Sequence, residues 1–331
     1  MNNRLNNFYK NKRILVAGGT GVIGLQLVKL LSRHSKKIIV AGVHEKNFAK
    51  KNLPKNIKYI KTDLREFKNC IRVTKNIEYA FNLVGIKGSS GIGENKVLDF
   101  YNSMIMFQTN LFKASLENNI SKYMFVSSIC GYPNFNKKKK EEIFWNGLPK
   151  QNDKIPGLVK RIGEIQIEAA YKQLDWKGGF IVRPSNVYGP FDDFNPKTAQ
   201  VIPSLIAKFL ESSKNKKFVN IWGDGSAKRD FIFSEDVAEA IMRIMTVQKA
   251  FNYPINLGAG HAISIKKLAL CLKEIINKNI YINWQKNKPT GDSIRVLDTK
   301  RLKEILPNFK TTPLKNGLIK TVDWYIENKL K

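Results

Sequence analysis

The chain has 331 residues and is 43% hydrophobic and 11% aromatic, which supplies a substantial core and excludes both wholesale disorder and a single small domain. Its formal charge of +30 would at face value suggest anionic partners, but the lysines are spread along the chain among Asn and Ile. With no zinc-finger, RNP-like or recognition-helix pattern, nucleic acid is not an expected partner, and the KKKK run at Lys137–Lys140 reads as a solvated loop.

In chain order, the clearest segment is RILVAGGTGVIGLQLVKLL. Arg13 to Ala17 suits a buried strand, a glycine-rich turn follows, and Val22, Ile23, Leu27, Leu30 and Leu31 mark the apolar face of a helix. KIIVAGV is a second strand, IKYI a third leading into KTDLRE, and YAFNLVG a fourth. A helix over roughly Ser103 to Asn118 precedes KYMFVSS, the fifth. A helix from about Pro156 to Lys172 leads to GGFIVRPSNVYGP, the sixth strand and its exit loop.

Strands separated by helices imply right-handed crossovers, so the expected fold is α/β, a Rossmann-like doubly wound parallel sheet. Beyond Gly189 the texture changes. TAQVIPSLIAKFLESS, SEDVAEAIMRIM, SIKKLALCLKEII and LIKTVDWYIENKL read as helices, KFVNIWGDG as a strand and turn, and PINLGAG as a late strand. Residues 12–189 are therefore expected to form a nucleotide-binding domain to which the chain later returns, and 190–331 a smaller, interwoven substrate domain.

Cys70, Cys130 and Cys271 lie far apart without CxxC spacing, so no metal site is expected and a reducing compartment is. No run approaches the ~20 apolar residues of a membrane span and the start is polar, so a cytoplasmic location is the expectation.

The glycine turn carries the first chemistry. Gly18 permits the tight turn, Gly21 lets the backbone approach a pyrophosphate, and Gly24 permits close helix packing. Thr20, Val22 and Ile23 complete a helix N-terminus able to donate to phosphates. The second strand would end in an acidic residue if the adenine ribose were held as in NAD sites. Around Gly42, Val43 and His44 there is none, and His44 and Lys46 lie nearby, which favours NADP over NAD. Asp63, with Leu64 beside it, reads either as a contact to the adenine edge or as a cap for the next helix.

AGGTGVIG, SSICGYP, LVKRIGE, RPSNVYGPFDDF and GDGSAKRDFIFSEDVAEAI, in that order, make the chain resemble an extended short-chain dehydrogenase/reductase of the NAD-dependent epimerase/dehydratase family. SNVYGPFDDFNP with QVIPSLIAKF is most similar to the GDP-L-fucose synthase-like enzymes of nucleotide-sugar metabolism. The resemblance covers roughly residues 12 to 300. It implies NAD(P) as cofactor, a nucleotide-sugar substrate altered around the sugar C4, and a homodimer formed through two helices, compatible with the methionine-rich stretch Tyr101–Leu116. It also implies that Ser128 meets the sugar oxygen and that Lys160 holds the nicotinamide ribose. By the same resemblance Asn186, Phe191 and Val201 line the sugar pocket, and Arg229 meets the nucleotide diphosphate with help from Arg295.

Two departures bear on mechanism. The resemblance implies a tyrosine four residues before Lys160, the proton carrier of such enzymes; the chain has Pro156, which has no proton to give and reads as the first residue of a helix, with Asp153 offering a cap. In GPFDDF, Phe191 stands where the related pattern GPHDNF has a proton-carrying histidine, and Gln200 where relatives commonly have another. Asp192 and Asp193 read as turn residues or general bases. Cys130 is either the counterpart of the family's cysteine base or an inert thiol. Tyr132 is the preferred substitute for the missing tyrosine, or a ring packing the pocket wall, with Asp153, Lys154 or a water relayed through Lys160 as further candidates. The alternative reading is a catalytically impaired or non-catalytic dinucleotide- or nucleotide-sugar-binding protein of the same fold.

Overall fold

The computed structural model describes residues 2–86, 96–134, 137–196, 198–215, 218–288 and 293–329. Residues 87–95 and the first two residues of GDSIRVLD lie outside them. The chain opens with a helix unannounced by the sequence pattern, α1 (Asn2–Tyr9), followed by β1 (Ile14–Ala17), α2 (Val22–Leu31), β2 (Ile38–Gly42), α3 (Lys46–Asn52), β3 (Lys58–Lys61), α4 (Phe67–Thr74) and β4 (Tyr79–Asn82). Then come α5 (Val97–Glu117), β5 (Lys122–Val126), α6 (Lys154–Leu174), β6 (Gly179–Pro184) and β7 (Asn186–Tyr188). The remainder is α7 (Val201–Asn215), β8 (Phe218–Trp222), β9 (Lys228–Arg229), β10 (Phe231–Phe233), α8 (Ser234–Ile244), β11 (Ile255–Leu257), β12 (Ile263–Ser264), α9 (Ile265–Ile276), β13 (Tyr281–Gln285), β14 (Ile294–Arg295), α10 (Lys300–Ile305) and α11 (Leu314–Lys329).

Seven parallel strands form the central sheet in the order β11-β6-β5-β4-β1-β2-β3. The inner strands are buried on both faces, as their nearly unbroken apolar sequences require. One core layer joins α1, α2 and α8 to the sheet, and a second lies under α4, α5 and α6. Residues 234–257 thus rejoin the sheet through α8 and β11. A third core, made by α7, α9, α11 and the short β8–β13 pair, supports the later segment.

The order of strands reverses between β1 and β4, which opens a crevice at their carboxyl ends, where such sheets place ligands. Around this crevice several local expectations change. Helix α6 begins at Lys154, so Pro156 is its third residue; an amide there would have no partner within the helix, and proline costs little. Helix α7 starts at Val201, after residues 198–200. The KKKK run is not uniformly solvated. Lys139 is buried, its Nζ donating to the Pro133 carbonyl at 3.0 Å while its backbone bridges to Leu297.

Candidate active site

A cleft of about 630 Å³ occupies the crevice. One wall is Gly18, Thr20, Gly21, Val22, Ile23 and Gly24 with His44, Phe48, Lys51 and Asn52; Leu83, Gly85 and Ile86 line it at the exit of β4. The turn is built by close backbone packing. A Cβ on Gly24 would stand 2.3 Å from the Gly18 carbonyl oxygen, whereas one on Gly21 would meet nothing nearer than 3.4 Å, and one on Gly85 nothing within 4 Å. The glycines facing the cleft leave a cradle that side chains would fill, and this fits a dinucleotide pyrophosphate laid against a helix N-terminus. Thr20 Oγ1 lies 2.7 Å from His44 Nδ1, fixing the imidazole at the end of β2 beside Phe48. Lys51 adds a positive charge to the same end of the cleft.

A second cluster gathers at the ends of β5 and α6, one strand further along the sheet. Gly157 permits it, since a Cβ there would lie 2.3 Å from the Cys130 carbonyl oxygen. Lys160 Nζ donates to the Val126 carbonyl at 2.8 Å and sits 5.1 Å from the Phe125 ring centroid. Desolvation lowers its pKa to about 8, partly opposed by Cys130 and Glu164. Ser128 Oγ accepts the Cys130 amide at 3.1 Å. Burial pushes the Cys130 thiol up; Arg295 opposes that shift and Asp153 adds to it. Arg295 and Asp153 form an ion pair at 2.8 Å. Asp153 stands at the N-cap of α6 but makes no side-chain cap bond, because its carboxylate is turned to Arg295.

The other expected residues are placed as follows. Asn186 Nδ2 donates to the Asp230 carbonyl at 2.8 Å, and Arg229 and Arg295 are register partners on β9 and β14. Phe191 lines the cleft beside Asp192 and Asp193. Asp192 Oδ1 accepts the Asp193 amide, and Asp193 accepts the Asn195 amide and the Thr198 hydroxyl, so both carboxylates brace their own turn. Val201 is exposed at the first turn of α7.

Asp63 and Leu64 do not line the cleft. The Asp63 carboxylate is clamped by the Arg65 guanidinium, which holds it below the usual carboxylate range, and Leu64 is buried in the core. Nor is Asp63 a helix cap, since Glu66 occupies that position of α4.

Tyr132 lies in the core. Its hydroxyl donates to Asn256 Oδ1 at 2.6 Å and accepts from Arg183 at 3.2 Å, and burial raises its pKa further above that of free tyrosine. Arg183, only 2% exposed, makes a two-point pair with Glu164 at 2.7 and 3.0 Å and stacks 3.5 Å from the Phe144 ring centroid. This network holds the Ser128 turn against α6 and β6. Asp230, fully buried, accepts backbone amides of Ala259, Gly260 and Leu297, joining the loops that carry Arg229, Asn186 and Arg295. Sequence reasoning missed both Glu164–Arg183 and Asp230. Each adjoins a motif residue, Lys160, Pro184 or Arg229, and that adjacency was the only local signal.

The sequence pattern of the NAD dependent epimerase/dehydratase family matches residues 14–258. The chain belongs to that family. Among its relatives, the probable GDP-L-fucose synthase 1 of Oryza sativa subsp. japonica is 28% identical over 323 residues, spanning 96% of this chain and 93% of that one. The fold of this family member is also that of a UDP-N-acetylglucosamine 4-epimerase from Methanobrevibacter ruminantium M1, solved with UDP-N-acetylmuramic acid. The TM-score is 0.83 at 26% identity, covering 96% and 99% of the two chains. GDP-mannoheptose C4 reductase from Campylobacter jejuni, solved with NADP, gives a TM-score of 0.76 at 25% identity over 95% and 98%. Among the described residues, no helix of this epimerase/dehydratase family member is long and apolar enough to cross a membrane.

Proposed function

We propose that the protein is an NAD(P)-dependent nucleotide-sugar oxidoreductase or epimerase that acts around the sugar C4, with Lys160 as its proton carrier. The observation that carries this reading is the pairing of a glycine-lined dinucleotide cleft with the Ser128–Lys160 cluster at neighbouring strand ends of one sheet. The relatives act on GDP- and UDP-linked sugars, and the GDP-mannoheptose C4 reductase holds NADP. His44 and Lys51 line that wall, while the neighbouring Glu45 is paired with Lys61, an arrangement that supports NADP over NAD.

Residues 18–24 would cradle the pyrophosphate, with His44 and Lys51 near the adenine ribose and Lys160 near the nicotinamide ribose. The nicotinamide, when bound, supplies the hydride donor or acceptor. Only one of the three Lys160 N–H bonds is directed to Val126, and the lowered pKa lets the ammonium release a proton near neutral pH. Ser128 donates to the sugar oxygen and orients it. In the reductive direction, Lys160 Nζ would give its proton to that oxygen, and a proton taken up from bulk solvent would restore the ammonium. Arg229 would bind the diphosphate, and Asn186 the sugar edge. Dimerisation through α5 and α6 is supported by Leu98, Met106, Ile165 and Leu174, apolar residues exposed on those two helices.

The test is purified full-length protein incubated with NADPH or NADH and a panel of GDP- and UDP-linked 4-keto-hexoses and heptoses, following loss of reduced cofactor. Pro156 is the observation that favours a second reading, a non-catalytic dinucleotide-binding protein. Tight cofactor binding with no turnover across the panel would establish that reading in place of the first.

A further inference from the structure

The wall of the cleft facing the glycine turn is formed by Phe191, Asp192 and Asp193 together with Trp324, Asn328 and Lys329 near the end of α11. Trp324 and Asn328 are four residues apart and share a helix face; Lys329 follows in the last turn. The helix is firmly seated there. Trp324 lies 4.8 Å from Phe191 and 5.9 Å from Phe194 between ring centroids, Tyr325 lies 4.5 Å from Phe194, and Leu318, Thr321 and Val322 are buried beneath. Phe191 has φ of +68°, a conformation a bulky side chain keeps only when its surroundings hold it. Its ring is held between the Lys29 ammonium of α2, 5.0 Å from the centroid, and Trp324. The Phe191 turn therefore fastens α11 to the helix that begins at the glycine turn.

Lys51 and Lys329 bring positive charge to the cleft from α3 and α11. Of the two carboxylates beside them, Asp193 takes the Asn195 amide and the Thr198 hydroxyl, and Asp192 takes the Asp193 amide through Oδ1. We propose that α11 is part of the dinucleotide site, with Lys329 contacting a phosphate of the bound dinucleotide from the side opposite the glycine turn and Asn328 assisting. The proposal rests on the dinucleotide reading of the cleft. It assigns a binding role to a C-terminal helix outside the matched residues 14–258.

The experiment compares Lys329→Glu with Lys278→Glu, an exposed control of the same charge change, in the full-length protein. NADPH and NADH are titrated by calorimetry and by sensitised emission of the reduced nicotinamide on tryptophan excitation. Lys329→Glu should weaken binding about tenfold at low salt, by loss and reversal of a charge beside a phosphate, with the difference shrinking as salt is added. Loss confined to NADPH would place Lys329 at the ribose phosphate, and equal loss for both would place it at the pyrophosphate; each supports the proposal. Lys278→Glu should bind as the parent does, and Trp324→Phe should reduce the sensitised emission. Lys329→Glu binding like the parent, while Gly21→Val weakens binding by about tenfold or more, would overturn the role of α11 and leave the cleft assignment standing. Weakened binding that merely follows a lower melting temperature of the cofactor-free variant would assign Lys329 to the helix dipole and also overturn the proposal. Failure of the parent protein to bind either dinucleotide would remove the cleft assignment and the proposal together.

Discussion

Arg295 reaches Asp153 with a 2.8 Å ion pair that ties β14 to the first turn of α6, the helix that carries Pro156 and Lys160. Both side chains are largely shielded, at 14% and 21% exposure, and both act on the neighbouring Cys130 thiol, in opposite directions. The pair therefore sets the electrostatics of the site as well as the seat of the helix.

Opposite substitutions at that pair should move Cys130 in opposite directions. Arg295→Ala removes the positive charge that lowers the thiol pKa, so Cys130 should be alkylated more slowly at a given pH. Asp153→Asn removes the group that raises it and should speed the reaction. Mass spectrometry resolves Cys130 from the buried Cys70 and from Cys271.

Lys160 should impose an alkaline limit on reduction. Its folded pKa of about 8 means the proton needed by the product oxygen is present below that pH and lost above it, so the rate should fall as pH rises through about 8. Lys160→Met should lower hydride transfer by about 100-fold or more and remove that limb. The stability effect has the reverse sense. Because burial depresses the pKa, the unfolded chain binds more protons between about 8 and the unperturbed ~10.4, so the cost of the buried ammonium is full below 8 and is relieved as pH rises across that window. Lys160→Met should therefore melt no lower than the parent at pH 7.

Tyr132→Phe separates architecture from chemistry. The lost hydroxyl leaves Asn256 Oδ1 and one Arg183 donor without that partner, which should cost about 1–3 kcal/mol in urea unfolding. Turnover per folded molecule should stay within about twofold, since this hydroxyl is held in the core; a loss of about 100-fold, the usual scale for a general acid, would contradict that placement.

The two glycines of the turn should fail differently. Gly24→Ala forces a Cβ against the Gly18 carbonyl and should lower both melting temperature and dinucleotide affinity. Gly21→Val should leave the melting temperature of the cofactor-free protein within a few degrees and still weaken dinucleotide binding by about tenfold or more, because its side chain fills the cradle and not the core. Thermal unfolding and calorimetry on both variants check this.

Pro156→Tyr would place a phenol four residues before Lys160, in the first turn of α6 where an added amide needs no helical partner. If proton supply limits the parent enzyme, the variant should raise the rate of hydride transfer by about tenfold or more and displace the alkaline limb. Stopped-flow oxidation of NADPH with a turned-over 4-keto sugar measures both.

The parallel sheet and the glycine turn were legible because both are local. An apolar run of four or five residues with a helix after it can be buried only one way, and Gly18, Gly21 and Gly24 occupy the places where side chains would collide with the turn or fill the cleft. The helix bearing Lys160 was legible too, although Pro156 hid its first two residues, since proline reads as a start and is equally tolerated at the third position. Asp63 and Tyr132 were harder. A carboxylate after a strand and a tyrosine ending a loop have the same local appearance whether they face a ligand or, as here, bind Arg65 and Arg183.

By itself, then, the sequence determined the order of strands and helices, the tight glycine turn and the absence of a tyrosine at position 156, because each follows from residues adjacent in the chain. Only the tertiary structure decided what the charges do. Arg295 meets Asp153 across 142 positions of sequence, Arg183 meets Glu164 inside the core, and α11 returns from the far end of the chain to wall the cleft. Ion pairs and cleft walls depend on which distant groups packing brings within a few ångströms, and on how much water it removes from around them.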